Sequence, residues 1–186
     1  VAGGVDFLVP LGTTGETPCL SDEEKVKILQ ITKKHAAGLP LVVGAGTNSL
    51  EHTIENIRLL EPYGVDAFLV VVPYYNKPSQ EGIYRHYMAV AEASPVPVII
   101  YNVPGRTGLN MTAETTLRLA HATDKIVAVK EACGNVEQMQ KILDGRPERF
   151  LVLSGDDGLT VEAIRRGGRG VLSVLAHLYP NDVKQL

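Results

Sequence analysis

Seven short apolar runs punctuate this chain: Phe7–Leu11, Leu41–Val43, Ala67–Val72, Val98–Ile100, Ile126–Val129, Leu151–Leu153 and Val171–Leu175. Their starts lie 20 to 34 residues apart. Each run is nearly continuous rather than alternating, the pattern of parallel strands buried on both faces. Helical spacing and start signals fill the segments between them. Ser21-Asp22-Glu23-Glu24 reads as a capping box, followed by Val26, Ile28, Leu29 and Ile31 and closed by Gly38. Asn48 with Glu51 opens a second helix, whose buried face holds Ile54, Ile57 and Leu60. Ser79, Thr112 and Asn135 (with Gln138) open three more, and Asp156-Asp157 precede a sixth that ends at Gly167-Gly168.

Strand–helix alternation with this period allows an open doubly wound sheet or a TIM (β/α)8 barrel. An open sheet has edge strands, which should be more amphipathic than the rest. Seven runs of similar character therefore favour the barrel, which needs eight strands. The chain begins with Val1, and Val1-Ala2-Gly3-Gly4 resembles the end of a helix. The expectation is a fragment with seven of eight strands present, the first strand and the C-terminal helices missing, from a barrel of roughly 250 residues or more. No linker or low-complexity tract interrupts residues 1–186, so they read as one partial TIM-barrel catalytic domain.

Composition narrows the function classes. The chain is 45% hydrophobic and 21% charged, ordinary for a soluble protein with a sizeable core. Eighteen Lys and Arg against 21 Asp and Glu give a net charge of −3, with nothing that marks a nucleic-acid or membrane partner. Cys19 and Cys133 fit no metal or redox spacing and suggest a reducing cytoplasm. The histidines at 35, 52, 86, 121 and 177 lack metal-ligand spacing, so neither a metal nor another cofactor is expected.

Barrel active sites are built where strands end. Lys130 closes the run Ile126–Val129. Desolvation at a barrel mouth disfavours its ammonium, and a neutral amine forms a Schiff base with a ketone. The alternative is a strand-end lysine paired with a nearby acid. Tyr101 ends the run before it, where a hydrogen-bonded phenol can relay protons. Arg106, in the following loop, can clamp a carboxylate. Gly12-Thr13-Thr14-Gly15-Glu16 can aim N–H groups and hydroxyls at an anion. Gly44-Ala45-Gly46 is a partial G-x-G-x-x-G with Ser49 at the third position, better read as close backbone packing than as a dinucleotide site. Pro73-Tyr74-Tyr75-Asn76-Lys77-Pro78 holds two tyrosines rigidly, for a site or an interface. An amine, a carboxylate clamp, several hydroxyls and no metal ligands suit imine chemistry on an α-keto acid. Two other classes stand beside it: a metal-dependent barrel using Glu131, Asp156 and Asp157, and a non-enzymatic keto-acid sensor.

The ordered set Gly12–Glu16, Tyr74–Pro78, Tyr101–Gly108, Lys130-Glu131-Ala132 and Ser154-Gly155-Asp156-Asp157 resembles the dihydrodipicolinate synthase (4-hydroxy-tetrahydrodipicolinate synthase) family, in the N-acetylneuraminate lyase group of class I aldolases. The resemblance covers essentially the whole chain. It implies Schiff-base condensation of pyruvate with aspartate-β-semialdehyde, in lysine and diaminopimelate biosynthesis. Lys130 would form the imine and Tyr101 would transfer protons. Thr13 would link Tyr101 to Tyr75 in a relay. Thr14 would hold the pyruvate carboxylate and Arg106 that of the aldehyde, with Gly155 and Leu172 lining the pocket. Such proteins are commonly homotetramers, dimers of dimers, with Tyr74 and Tyr75 near the tight-dimer interface. The runner-up is a pyruvate-dependent sugar-acid aldolase of the same group, whose loop after the tyrosine usually lacks Arg-Thr-Gly. Asp22 and Lys25 stand where lysine-inhibited relatives carry histidines, which argues against feedback inhibition by lysine.

Overall fold

The structure is a computed structural model describing residues 1–186. Strands β1 (Val42–Gly44), β2 (Ala67–Val71), β3 (Val98–Asn102), β4 (Ile126–Glu131), β5 (Leu151–Ser154) and β6 (Gly170–Val171) form one sheet in sequence order. Every neighbouring pair is parallel. The order never reverses, so the sheet lacks the switch point that defines a doubly wound fold.

Helices α1 (Asp22–His35), α2 (Leu50–Leu60), α3 (Gln80–Ala93), α4 (Pro104–Thr107), α5 (Ala113–Ala122), α6 (Val136–Gly145), α7 (Thr160–Arg165) and α8 (Pro180–Lys184) follow or connect the strands. Ser21 and Glu24 make the expected reciprocal capping box. Ser79, Thr112 and Asn135 cap α3, α5 and α6 as their sequence positions imply. For α2 the cap is Ser49, one residue after Asn48, because its hydroxyl accepts from His52 N–H.

Alternating strand residues sort into two apolar layers. Val43, Phe68, Val70, Ile100, Val129 and Val152 pack in one cluster with Leu29, Ile57, Ile83, Leu119 and Ile142 from the helices. Val42, Leu69, Ile99, Tyr101, Ala128 and Leu153 form a second cluster that contains no helix residue. A parallel sheet with helices on one face and a strand-only core on the other is curled, as in a half-barrel.

Seven strands were expected and six form. The run Phe7–Leu11 lies beside β1 but contributes only an isolated bridge between Leu8 and Leu41. Pro10 has no N–H to give a ladder, and Leu11 turns into the left-handed region at φ 57°. At the other end, only Gly170 and Val171 pair as β6. The N–H groups of Val174 and Leu175 turn away to Asp157 Oδ2 instead, both at 3.0 Å.

Candidate active site

The strand ends meet at one rim of the sheet. Their placement depends on a register shift in the β3–β4 pair. Val98 pairs with Ile126, but Ile99 pairs with Ala128, so Val127 is passed over. Such a bulge moves every later side chain of one strand by one position. As a result Tyr101 pairs with Lys130 and Asn102 with Glu131. Tyr101 belongs to the concave, strand-only layer, and Lys130 shares that face by alternation from Ala128.

Lys130 Nζ lies 4.1 Å from the centroid of the Tyr101 ring. Burial pulls its pKa down to about 8; Arg106 pushes in the same direction and Asp157 opposes it. The Tyr101 phenol is held above its usual value by burial, with Arg106 and then Thr13 acting to lower it. Thr13 acts on the phenol through a side-chain hydrogen bond. A cavity of about 290 Å³ opens beside this pair and is lined by Thr13, Tyr74, Tyr101 and Arg106, with Lys25 and Asn56 as well. Lys130 itself is not among the lining residues.

Backbone packing leaves the site no slack. A Cβ on Gly44 would sit 1.9 Å from the Leu11 carbonyl oxygen, and one on Gly46 2.5 Å from Val71 N. These glycines serve close strand packing, as their sequence context implies. A Cβ on Gly155 would lie 2.8 Å from Ala132 Cβ and 3.0 Å from Lys130 Cε. Gly155 thus keeps open the space in which the lysine stem rests. Leu172 packs in the concave layer near this end, and its N–H is held by Ser154 O at 2.9 Å.

Two sequence candidates, Thr14 and Tyr75, are not among the residues lining the cavity. Thr14 lies in the 3₁₀ turn Thr13–Gly15 and is exposed, outside the cavity lining. Tyr75 is 87% exposed at φ 69° and makes no side-chain hydrogen bond to Tyr101 or Thr13. Arg106 does line the cavity, but from the short helix α4, capped by the left-handed Gly108, rather than from a loop.

The acids considered as metal ligands have separate duties. Glu131 is 2% exposed and faces the helices, bonded to Asn102 and Gln138. Asp156 accepts from Gly158 N–H, and Asp157 receives Val174 and Leu175. No group of three or more His, Cys, Asp or Glu is arranged to hold a metal ion. Burial beside Glu131 pushes the Cys133 thiol up to about 12, which leaves it unreactive at neutral pH. The Asn102–Glu131 contact was missed in the sequence. Strand alternation could have paired these two behind Tyr101 and Lys130, had the bulge been known.

The fold and rim define a class: curled parallel α/β chains that present a desolvated strand-end lysine beside a tyrosine. Within it, the model of the "Dihydrodipicolinate synthetase family" matches residues 1–186, and the chain belongs to that family. A curated relative from Parabacteroides distasonis, named 4-hydroxy-tetrahydrodipicolinate synthase, is 50% identical over 187 residues, covering 100% of this chain and 63% of its own length. The lysine-bound enzyme of Cyanidioschyzon merolae superposes with a TM-score of 0.95 at 43% identity, covering 99% of this chain and 63% of that one. The chloride-inhibited dihydrodipicolinate synthase of Acinetobacter baumannii, complexed with pyruvate, gives 0.94 at 39% identity, with 99% and 63% covered. The chain therefore spans 63% of the length of these proteins.

Proposed function

We propose that the protein is a class I synthase that condenses pyruvate with aspartate-β-semialdehyde to give 4-hydroxy-tetrahydrodipicolinate, in the cytoplasmic route to diaminopimelate and lysine. The observation that carries this reading is the desolvated Lys130 amine, 4.1 Å from the Tyr101 ring centroid. Lys130 attacks the pyruvate ketone, and loss of water leaves an iminium that acts as an electron sink. Tyr101 takes and returns the protons these steps release, and Thr13 and Tyr75 extend its path toward solvent. Thr14 and neighbouring N–H groups hold the pyruvate carboxylate; Arg106 holds that of the aldehyde. Gly155 and Leu172 shape the pocket around the imine. No cofactor is needed, because the amine itself supplies the covalent catalysis.

In this reading residues 1–186 form most of one eight-stranded barrel. The protein assembles as a dimer of dimers, with Tyr74 and Tyr75 near the tight interface. Tyr75 then serves the site of a neighbouring copy, which accounts for its exposure. Arg106 lining the cavity supports the synthase over the sugar-acid aldolase.

Pyruvate and borohydride should leave an irreversible adduct on Lys130, located by mass spectrometry, and Lys130→Ala should remove it. An adduct persisting in Lys130→Ala defeats the assignment. A coupled assay with aspartate-β-semialdehyde and sugar-acid aldehydes then separates the two substrate readings.

A further inference from the structure

Directly behind Lys130 and Tyr101, on the helix-facing side of the same two strands, lies a buried polar network. Asn102 Nδ2 donates to both Glu131 oxygens, at 2.9 and 3.2 Å. Cys133 N–H donates to Glu131 Oε1 at 2.9 Å, and Gln138 Nε2 to Oε2 at 3.2 Å. Backbone groups fix the orientation of both amides. Met111 N–H donates to Asn102 Oδ1 at 3.1 Å, and Met111 O accepts from Gln138 Nε2 at 3.0 Å. Glu131 therefore meets donors only; burial raises its pKa, and the hydrogen bonds from Cys133, Gln138 and Asn102 oppose that by favouring the carboxylate. An apolar or neutral residue would suffice to fill space between strand and helix. A carboxylate with four donor contacts does more: it ties the end of β3, the end of β4, the turn after β4 and α6 to one atom pair.

The geometry points to Glu131 and Asn102 as a positioning pair for the imine chemistry. Each is the next residue after a site residue, and the two are register partners as Tyr101 and Lys130 are. Ala132 N–H donates to Asn102 O and Gly155 N–H to Glu131 O, both at 2.8 Å, so the same two residues also anchor the backbone around Gly155. The side-chain bond holds β3 and β4 in the bulge-shifted register at their last pair. That register is what keeps amine and phenol side by side on the opposite face. Neither residue touches substrate; both act through their neighbours.

This rests on the Schiff-base reading, and the test separates the two. In the intact protein, Glu131→Gln puts an N–H2 among groups whose donors are turned toward it. The rate of borohydride-trapped pyruvate adduct on Lys130, per folded protein, should fall about tenfold or more, with the half-saturating pyruvate concentration little changed. Asn102 must stay an amide, because its Nδ2 also donates to Asn110 Oδ1 at 2.9 Å and to Met111 O at 3.3 Å. Glu131→Asp keeps an acceptor-only side chain facing the same donors, so trapping should be at least about threefold faster than in Glu131→Gln. An unchanged rate in Glu131→Gln, or a folded Glu131→Asp variant no faster than Glu131→Gln, overturns the positioning role. Should Glu131→Gln not fold, Gln138→Met removes one donor and keeps the Asn102 contact; partial slowing supports the role and an unchanged rate overturns it. No adduct in the unsubstituted protein removes the Schiff-base reading, and this role with it.

Discussion

Lys130 and Tyr101 are parallel register partners, and the lysine amine lies over the tyrosine ring, 4.1 Å from its centroid. The face of the ring favours the ammonium, whereas burial favours the free amine. Burial prevails, since the lysine is drawn down to about 8. Relative to an ordinary lysine, that raises the neutral fraction at pH 7 by roughly 300-fold.

The rate of pyruvate adduct formation should therefore rise with pH and level off just above pH 8. An unperturbed lysine would keep climbing toward pH 10.5. Stability runs in the same sense. The folded pKa lies below the unfolded one, so the cost of burying the ammonium is fully present below about pH 8 and is relieved as pH rises toward 10.5. A trapping rate still increasing tenfold per pH unit at pH 9.5 contradicts a desolvated amine.

Gly155→Ala tests how tightly the lysine stem is held. The added methyl would fall 2.8 Å from Ala132 Cβ and 3.0 Å from Lys130 Cε. Ala132 sits on the turn anchored to Asn102 O and has little freedom, so the lysine must shift. Trapping should slow about tenfold, while the overpacking costs about 1–3 kcal/mol of stability. The check is adduct rate beside a denaturation curve. A normal rate in a normally stable variant shows that the stem can give way freely.

The strand–helix period, four of the helix caps and the placement of Lys130 and Tyr101 at strand ends were all legible in the sequence. They depend on local signals: apolar runs, Ser, Thr and Asn at helix starts, and residues at strand ends. Other features were not legible. The outer runs lost their strands to particular groups, Pro10 with Leu11 at one end and the Asp157 carboxylate at the other. The bulge at Val127 leaves no mark in an apolar run, yet it decides that Lys130 rather than Val129 stands opposite Tyr101. The resemblance implies a relay role for Tyr75, whereas its exposure in a single chain and the left-handed turn that carries it are set by the fold.

Arg106 lines the cavity and lowers the pKa of both Lys130 and Tyr101. Arg106→Ala should leave pyruvate trapping within about threefold at pH 8.5, yet cut kcat/KM for the aldehyde about 100-fold, the worth of a lost charge-assisted clamp. With the cation gone, the pH midpoint of trapping should move upward, because one of the influences depressing Lys130 is removed. Equal losses in both steps mean that the residue is structural.

Tyr75 offers a test of assembly as well as of catalysis. It is 87% exposed and held at φ 69°, between Tyr74, which lines the cavity, and Asn76, whose side chain donates to Asn48 O at 2.9 Å. If it completes the site of a neighbouring copy, Tyr75→Phe should lower activity by about 100-fold, the scale of a lost proton-transfer partner. Lys130→Ala should be inactive for a different reason. Mixed and allowed to exchange subunits, the two inactive variants should regain activity. In a mixed pair, one site receives an intact Lys130 from one chain and an intact Tyr75 from the other. With random pairing, half of the pairs are mixed and each carries one complete site, so about a quarter of the unsubstituted activity should return. Activity measured across a dilution series of the unsubstituted protein should fall as pairs dissociate. Mixed variants that stay at the sum of their separate activities, despite proven subunit exchange, place the whole relay within one chain and leave Tyr75 without a part in it.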